Sequence, residues 1–468
     1  MNWRMGSNIV WRKFSGAVAQ LGERHVRNVE AGGSIPLCST NLFNIYRKFF
    51  IRVLLPLTAV AVFVGFLFLK KSDPVVPMAP VPATSAPSQV ENRDIIDANN
   101  QFAFELYSKL KEKEENIFFS PLSVSTALAM TYEGARGETA RQIQSVFHFS
   151  ADEVARREAF SDLLGRLNKK EAAYKLQMAN ALWIKKERKL LDAYIQTIEK
   201  YYGGQANNVD FAGAGEEVRT TINRWVEEKT NNKIKDLISP DSFNDLTRLV
   251  LVNAIYFKGL WSNQFDKSET KPEDFRMLGN QTVKVSMMRQ ISEKSRFPYF
   301  ETADLQILEI PYKGDDLSML FLLPKNDDLK KIEGLVNAAQ LKSWRNLLSE
   351  RRVDVYLPKF ALNGKYSLNQ SLAALGMPAA FNGEQADFSG MDGRKNLFLE
   401  IVLHQTFVEV DEEGSEAAAA TAVGIVATGF PSKLQPTPVF RADHPFLFLI
   451  LERKSGNILF FGRFAKPD

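Results

Sequence analysis

Alternation between apolar and polar positions predicts a globular domain over residues 95–468. Phe102–Leu110 repeats apolar residues at intervals of three and four, which is typical of an amphipathic helix. Asn116–Met130 has the pattern of a short strand that runs into a buried helix, with Pro121 suited to the first helical position. Leu249–Trp261 is a long apolar run, typical of a strand buried on both faces. Four shorter apolar runs also predict strands: Leu317–Leu323, Val353–Leu357, Phe446–Leu451 and Ile458–Phe461. Because these elements follow no regular βαβ order, the pattern indicates an α+β fold.

A stretch near the C-terminus, Glu412–Phe430, differs from these elements in its small residues. Gly414 follows two acids, four alanines come soon after, and Glu416 is the only charge beyond Ser415. Read as a strand, the stretch would carry one small, uncharged face: Ser415, Ala417, Ala419, Thr421, Val423 and Ile425. Such a face suits a segment that enters between two strands without burying a charge. The alternative is a short helix capped by Ser415, although Gly424 and its β-branched neighbours end the helical preference early.

The first 94 residues divide into three segments. Residues 1–48 show no clear period and resemble the peptide that a mistranslated transfer-RNA gene would give, so they are either a spurious N-terminal extension or a cytoplasmic tail. Residues 49–69 contain Val53–Leu69, roughly 17 uncharged residues, which is close to the minimum for a membrane span. Basic residues before this segment favour an N-terminus inside, and the segment is a transmembrane signal-anchor or a cleaved signal peptide. Residues 70–94 form a proline-rich, extended linker.

Composition excludes several functions. The chain has 59 basic and 55 acidic residues in 468, a balance that gives no argument for a nucleic-acid partner. Cys38 is the only cysteine, so no internal disulfide can form. Four histidines without HxxxH or CxxC spacing predict neither a metal site nor another cofactor. The absence of a Gly-x-Ser-x-Gly motif argues against a serine hydrolase, and we expect the protein not to be an enzyme.

Six segments resemble the serpins, the serine protease inhibitor family, and they occur in that family's order. They are Asn116–Met130, Thr230–Leu237, Leu251–Trp261, Val353–Phe360, Glu412–Thr421 and Phe440–Phe461. The resemblance covers nearly all of residues 95–468, and it is to the inhibitory type, which we expect here in a bacterial member. It implies a single domain of three β-sheets and about nine helices with an exposed reactive-centre loop, although a chain of this length usually forms two domains.

The resemblance also assigns roles to particular residues. The hinge of the reactive-centre loop, which inserts into the main sheet, would be Glu412, Glu413, Gly414, Ser415, Ala417, Ala418, Ala419 and Ala420. A sheet-opening cluster would comprise Ser120, Ser123, Asn253 and His404, together with Trp261 at the top of the sheet. Simpler interpretations exist, since Ser120 can start a helix beside Pro121, and His404 and Trp261 can be ordinary core residues.

The function that the resemblance implies is suicide-substrate inhibition of a serine protease, or alternatively of a cysteine protease, in the periplasm or outside the cell. A monomer would hold the protease covalently, and the apolar N-terminal segment would hold the inhibitor at a membrane. The family's spacing from Glu412 gives Thr428–Gly429 as the reactive bond, within an interval from Val426 to Lys433. The small or β-branched residues Val426, Ala427 and Thr428 would suit the substrate pocket of an elastase-like protease. Lys433 would suit the pocket of a trypsin-like protease. The alternative is a non-inhibitory serpin that acts as a binding or chaperone module, although its hinge would typically carry bulky, charged or proline residues.

Overall fold

The computed structural model describes residues 91–169, 173–244, 246–279, 281–293, 295–415 and 436–467. These residues fall within a single compact unit. The predicted segments 1–48 and 49–69, the hinge alanines and the predicted bond Thr428–Gly429 lie outside the described residues. In the described ranges, no helix is both long enough and apolar enough to cross a membrane.

Ten α-helices lie in the described part of the chain. They are α1 (Glu91–Leu110), α2 (Pro121–Gly134), α3 (Gly137–Phe147), α4 (Glu153–Leu167), α5 (Asp192–Tyr202), α6 (Gly215–Lys229), α7 (Leu329–Leu335), α8 (Ala338–Leu347), α9 (Asn369–Leu375) and α10 (Ser389–Asp392). The buried helix predicted after Asn116 is α2, and Pro121 is its first residue. The amphipathic helix predicted at Phe102–Leu110 is the second half of α1.

Seventeen strands accompany these helices in the described residues. They are β1 (Ile117–Phe119), β2 (Tyr174–Lys185), β3 (Gln205–Val209), β4 (Leu249–Leu260), β5 (Lys271–Arg276), β6 (Thr282–Gln290), β7 (Arg296–Glu301), β8 (Leu305–Pro311), β9 (Leu317–Pro324), β10 (Ser349–Arg352), β11 (Asp354–Pro358), β12 (Phe360–Ser367), β13 (Ile401–Val410), β14 (Gly414–Ser415), β15 (Val439–Arg441), β16 (Phe446–Glu452) and β17 (Ile458–Phe464). Each strand predicted from an apolar run is present.

The strands form three sheets, as the resemblance implies, so the α+β prediction is confirmed. A seven-stranded sheet has the order β1-β17-β16-β9-β8-β7-β10, and a four-stranded sheet has the order β15-β11-β6-β5. The third sheet, called the main sheet below, has the order β12-β13-β4-β2-β3, and β14 pairs with the end of β4.

Strand β4 lies at the centre of the main sheet and is buried on both faces, as its apolar composition predicts. Leu249 and Leu251 belong to the apolar core that includes residues of α2. Val250 and Val252, which alternate with them, pack in a separate core that includes residues of α6. Because successive side chains point to opposite faces, one continuous apolar run supplies both cores.

The main sheet meets the seven-stranded sheet at Gly364 of β12, where the backbone comes close to β1. A Cβ atom added at Gly364 would lie 1.8 Å from the carbonyl oxygen of Phe118 and 2.8 Å from Oγ1 of Thr406. The contact with Phe118 involves backbone, so it cannot be relieved by rotating a side chain. Only glycine fits this junction without moving a strand.

We predict that Gly364→Ala lowers the free energy of unfolding by about 1–3 kcal/mol, the usual cost of overpacking. The measurement is the urea midpoint followed by circular dichroism. Gly165→Ala is the matched control, because Gly165 lies in α4 with no heavy atom within 4 Å of an added Cβ. That control should stabilise the helix by up to about 1 kcal/mol. Equal midpoints for the two variants would contradict the close approach at Gly364.

Candidate functional site

The candidate site lies where β4 and β13 part. The two strands pair in parallel from Ile401 with Val250 to Phe407 with Tyr256. Both strands then continue, but they no longer pair with each other. The edge of β4 beyond Tyr256 is instead occupied by β14, which runs antiparallel to it.

A tight turn connects the end of β13 to β14. The Asp411 carboxylate accepts hydrogen bonds from the backbone N–H groups of Glu413, at 2.9 Å, and Gly414, at 3.1 Å. The Asp411 N–H donates to the Gly414 carbonyl at 2.8 Å. A Cβ atom at Gly414 would lie 2.1 Å from the carbonyl oxygen of Gly259. The turn therefore requires glycine at this position and holds β14 tightly against β4.

Trp261 fixes this turn from the end of β4. Its indole N–H donates to the carbonyl of Asp411 at 2.9 Å, and its backbone N–H donates to the carbonyl of Glu413 at 2.9 Å. Its ring stacks on Tyr312 with 4.6 Å between the ring centres. The Tyr312 hydroxyl lies 2.8 Å from that of Ser415, which is fully buried. Burial raises the pKa of the Tyr312 phenol, so this hydroxyl remains protonated.

Two ion pairs neutralise the acids at the start of the hinge. The Glu412 carboxylate accepts a hydrogen bond from Lys359 at 2.8 Å and another from Thr270 at 2.7 Å. Burial alone would raise the pKa of Glu412, but the hydrogen bonds from Lys359 and Thr270 outweigh it and lower the pKa. Glu413 pairs with Lys267. Glu412 therefore stays charged, and each of the two glutamates is tied to a side chain outside the hinge.

A polar row crosses the main sheet below the site, formed by Tyr366, His404, Asn253 and Asn180. These residues occupy facing positions on four neighbouring strands. Asn253 forms side-chain hydrogen bonds with both His404 and Asn180. It also donates to the Ser123 hydroxyl at 2.6 Å. The row therefore links β13 directly to β4, and β4 to the first turn of α2.

His404 is completely buried, and burial lowers its pKa to about 3. Its Nε2 accepts a hydrogen bond from the Ser120 backbone N–H at 3.0 Å. The proton of the neutral ring therefore lies on Nδ1, which donates to the Asn253 side-chain oxygen. Ser120 also accepts from the N–H of Ser123 and so caps α2. The helix-starting interpretation of Ser120 and its place beside His404 thus both apply.

The structure brings Ser120, Ser123, Asn253 and His404 into one hydrogen-bonded cluster. Trp261 is not part of that cluster, because it lies eight residues further along the chain, about 26 Å at the rise of a strand. It belongs to the hinge turn, at the top of the sheet. The insertion role of both groups remains a prediction.

Sequence reasoning missed several residues that make contacts here, among them Asn180, Lys267, Thr270, Tyr312, Lys359 and Tyr366. Asn180 gave a usable signal, because it is an amide within the otherwise apolar stretch of β2. Tyr312 and Lys359 gave none, because their contacts with the hinge depend on register between distant segments. Among the described residues, no group of three or more histidine, cysteine, aspartate or glutamate side chains could hold a metal ion.

The fold combines three sheets with ten described helices, and a two-residue strand, β14, lies on the edge of β4 in the main sheet. A family model described as serpin (serine protease inhibitor) matches residues 97–467. The chain belongs to the serpin family.

Three relatives illustrate the range of similarity. A serpin-like protein of Thermococcus kodakarensis is 41% identical over 434 residues, which is 89% of this chain and 99% of the relative. Human leukocyte elastase inhibitor is 43% identical over 380 residues, covering 79% of this chain and 98% of the relative. The crystal structure of human thyroxine-binding globulin has a TM-score of 0.73 at 31% identity, covering 81% of this chain and 99% of that one.

We predict that stability falls with acidification because His404 is held neutral. An unfolded histidine has a pKa of about 6.5. Below that pH the unfolded chain takes up a proton that folded His404 refuses until the pH approaches 3. The expected loss between pH 6.5 and 5 is about 2 kcal/mol in the free energy of unfolding.

The measurement compares urea midpoints of the wild type and His404→Gln at several pH values. The variant lacks the titrating group. Between pH 6.5 and 5 its free energy of unfolding should therefore fall by about 2 kcal/mol less than that of the wild type. Other titrating groups are common to both chains and cancel in the comparison. The same pH dependence in both proteins would contradict a buried neutral His404.

Proposed function

We propose that this protein inhibits a serine protease, or a cysteine protease, as a suicide substrate. The nucleophile of the protease attacks the carbonyl carbon of one loop bond, an acyl-enzyme forms, and the peptide nitrogen leaves with the C-terminal part of the chain. The freed hinge then enters the main sheet between β4 and β13 and carries the bound protease with it. Strand addition is a recurring mode of recognition, and loop insertion in serpins is an established case.

The observation that carries this proposal is the pairing of Gly414 and Ser415 with β4. These residues already occupy the edge of β4 that β13 leaves free, in the antiparallel orientation that an inserted strand would have. Further insertion would extend an existing ladder and would need no new register. It would have to separate the seven residue pairs that join β4 to β13.

The observed register supports insertion of the residues that follow. Continued residue by residue from Ser415 with Gly259, it gives three notable pairs: Glu416 with Lys258, Thr421 with Asn253, and Ile425 with Leu249. The single charge of the segment would meet an opposite charge. A hydroxyl would join the polar row where the contact between Asn253 and His404 is broken. The inserted strand would end where β4 begins.

The burial of Ser415 supports the orientation of the inserted face. Ser415 lies opposite Gly259, and the positions of β4 on that same face include Phe257, Ile255 and Leu251, which are all buried. Residues that share the face of Ser415 would therefore be buried in turn. They are the small, uncharged residues of the hinge, so their burial would leave no unpaired charge.

The energy released by insertion is large enough for the work proposed. Roughly a dozen residues would each gain backbone hydrogen bonds, at about 0.5–1.5 kcal/mol net per bond. The sum is about 10 kcal/mol, which is comparable with the stability of a whole domain. This energy would be sufficient to distort the active site of a tethered protease. Because the loop is cleaved in the process, each inhibitor molecule would act only once.

The alternative is a serpin that binds a ligand or polypeptide without trapping a protease. The similarity to thyroxine-binding globulin favours it, because the name of that protein describes binding of a small molecule. The composition of the hinge argues against it, since Ala417–Ala420 include no bulky, charged or proline residue. The two functions differ in whether cleavage of the loop stabilises the protein against heat.

Location outside the cytoplasm is proposed from sequence alone. The apolar segment Val53–Leu69 and the basic residues before it would place the serpin domain on the outer side of a membrane. Residues 70–90 of the predicted proline-rich linker would then act as a spacer. The last four residues of that prediction, 91–94, lie in α1 instead. This location stays a prediction, because it depends on residues outside the described part of the chain.

We predict that Ser415→Arg converts the inhibitor into a substrate. Ser415 is fully buried against Tyr312, so an arginine there would bring an unpaired charge onto the inserting face. The measurement is the number of inhibitor molecules consumed per protease trapped, read from denaturant-resistant complexes on a gel. We expect this number to rise at least about tenfold, since a barrier of 1.4 kcal/mol changes a rate by that factor.

Ser415→Ala is the matched control, because it removes the hydroxyl but keeps the face small and uncharged. It should trap protease nearly as well as the wild type. Cutting the loop with a non-target protease should also raise the thermal midpoint of the wild type but not that of Ser415→Arg. An arginine variant that traps protease at the wild-type ratio would refute insertion, and a wild type without thermal gain would favour the binding function.

We predict that an elastase-like protease is trapped, with cleavage after Thr428 or Ala427. From Ser415 to Thr428 there are 14 residues, about 45 Å at the rise of a strand. A cut at Lys433 would leave slack and would put Pro431, which cannot donate to a ladder, in the tether. Trypsin should therefore hydrolyse that bond and escape. The name of the leukocyte elastase inhibitor, a relative at 43% identity, supports the same choice of target.

The measurement is a gel assay for stable complexes with elastase and with trypsin, followed by N-terminal sequencing of the released peptide. A peptide that begins at Gly429 or Thr428 in an elastase complex is the expected result. Lys433→Ala is a useful control, because it removes the trypsin bond and should leave elastase trapping unchanged. A stable trypsin complex with a peptide that begins at Leu434, and no elastase complex, would reverse the assignment.

A further inference from the structure

A cavity of about 460 Å³ lies between α1, α2, the end of α3 and α4. Its volume is within the range of pockets that bind small molecules. The cavity shares no lining residue with the hinge turn or the polar row. The cavity is therefore separate from the residues to which the proposed inhibition assigns a role.

The walls of the cavity are mainly apolar. Its aromatic and aliphatic lining includes Ile95, Ala98, Leu122, Phe147, Phe149 and Phe160. Ile95 and Ala98 are only partly buried, whereas Leu122 and the three phenylalanines are buried. Asp94 and Asp152, called the rim aspartates below, are exposed and lie at the surface end of the lining. Polar groups elsewhere in the lining come from Asn99, Ser125, His148 and Ser150. An apolar molecule could therefore enter from solvent between α1 and α4.

One donor in this apolar wall lacks an acceptor. Arg156 lines the cavity with a side chain that is 6% exposed. Its terminal nitrogens donate to the Ser150 carbonyl and to the Glu133 carboxylate, each at 2.9 Å. Its Nε–H has no hydrogen-bond partner among the described residues. A buried donor without an acceptor costs about 1–3 kcal/mol, so a ligand oxygen at this position would relieve that cost.

The charges around the cavity disfavour an anionic ligand. Arg156 and Arg157 both pair with Glu133, and Arg157 also pairs with Glu153. Each arginine is thus paired with a carboxylate, and His148, which also lines the cavity, lies 2.9 Å from the carboxylate of Glu105. No basic side chain of the lining is therefore left without an acidic partner. The rim aspartates add negative charge at the entrance. An acidic ligand would meet repulsion there without a compensating cation inside.

We propose that this cavity binds a small neutral amphiphile. Its apolar rings or chains would pack against the phenylalanines and Leu122. Its carbonyl or hydroxyl oxygen would accept a hydrogen bond from Nε of Arg156. This binding is independent of the trapping of a protease.

Photolabelling of the full-length protein with benzophenone tests the proposal. Benzophenone is neutral, has two apolar rings around a carbonyl oxygen, and inserts into nearby C–H bonds on illumination. Saturable labelling of peptides from α1, α2 or α4 is expected, mapped by mass spectrometry. 4-Benzoylbenzoate has the same rings and carbonyl with an added carboxylate, and it should label these peptides at least about tenfold less.

Substitutions in the cavity provide the controls. Ala98→Trp fills the space at a partly buried position and should abolish labelling of these peptides, and Ala155→Phe should do the same from α4. Val154→Phe enlarges a neighbouring side chain that is 61% exposed and does not line the cavity, so labelling should persist. Labelling that is absent, lies elsewhere or survives both filling substitutions would overturn the proposal. Equal labelling by the benzoate would overturn the preference for a neutral ligand.

Discussion

The pairing of β4 with β13 is the interaction on which the rest of the structure depends. It is parallel, and it ends while both strands still continue. The strand that would separate them runs antiparallel to β4, as β14 already does, and therefore antiparallel to β13 as well. Insertion would exchange one parallel ladder for two antiparallel ones, and antiparallel pairing is slightly more stable per residue. Under the proposed mechanism, the native sheet would therefore gain stability by accepting the loop as a further strand.

In the proposed exchange, the polar row would resist the separation of β4 from β13, whereas the hinge turn would keep its present contacts. In the row, Asn253 has hydrogen-bond partners on β2, β13 and α2. Removing one partner would leave a buried amide unsatisfied, which costs more than the net gain from an ordinary hydrogen bond. At the turn, Lys359 and Lys267 hold the two glutamates outside the sheet. In the proposed insertion, the contact between Asn253 and His404 would have to be broken or replaced as β4 and β13 separate, so polar contacts would add to the barrier that apolar packing sets.

Sequence could predict the elements whose pattern is unambiguous. The run Leu249–Trp261 predicts β4, and the small face that begins at Ser415 is consistent with the strand that Gly414 and Ser415 form. The cluster of Ser120, Ser123, Asn253 and His404 followed from the family resemblance, because no spacing along the chain connects residues so far apart. The contact of Tyr312 with Ser415 could not be predicted in either way. It depends on the position of the residue that follows β8 relative to β14, and that position is determined only when the sheets assemble.

Trp261 has a consequence for how the protein can be observed. Its indole stacks on a phenol and donates a hydrogen bond to the carbonyl of Asp411, so its surroundings depend on where the turn lies. Indole emission responds to stacking, to hydrogen bonding and to contact with water. The tryptophan is therefore a built-in fluorophore that senses whether the turn is seated or withdrawn. Because the chain contains five other tryptophans, displacement of the turn would appear as a change in the Trp261 contribution to the total emission of the unlabelled protein.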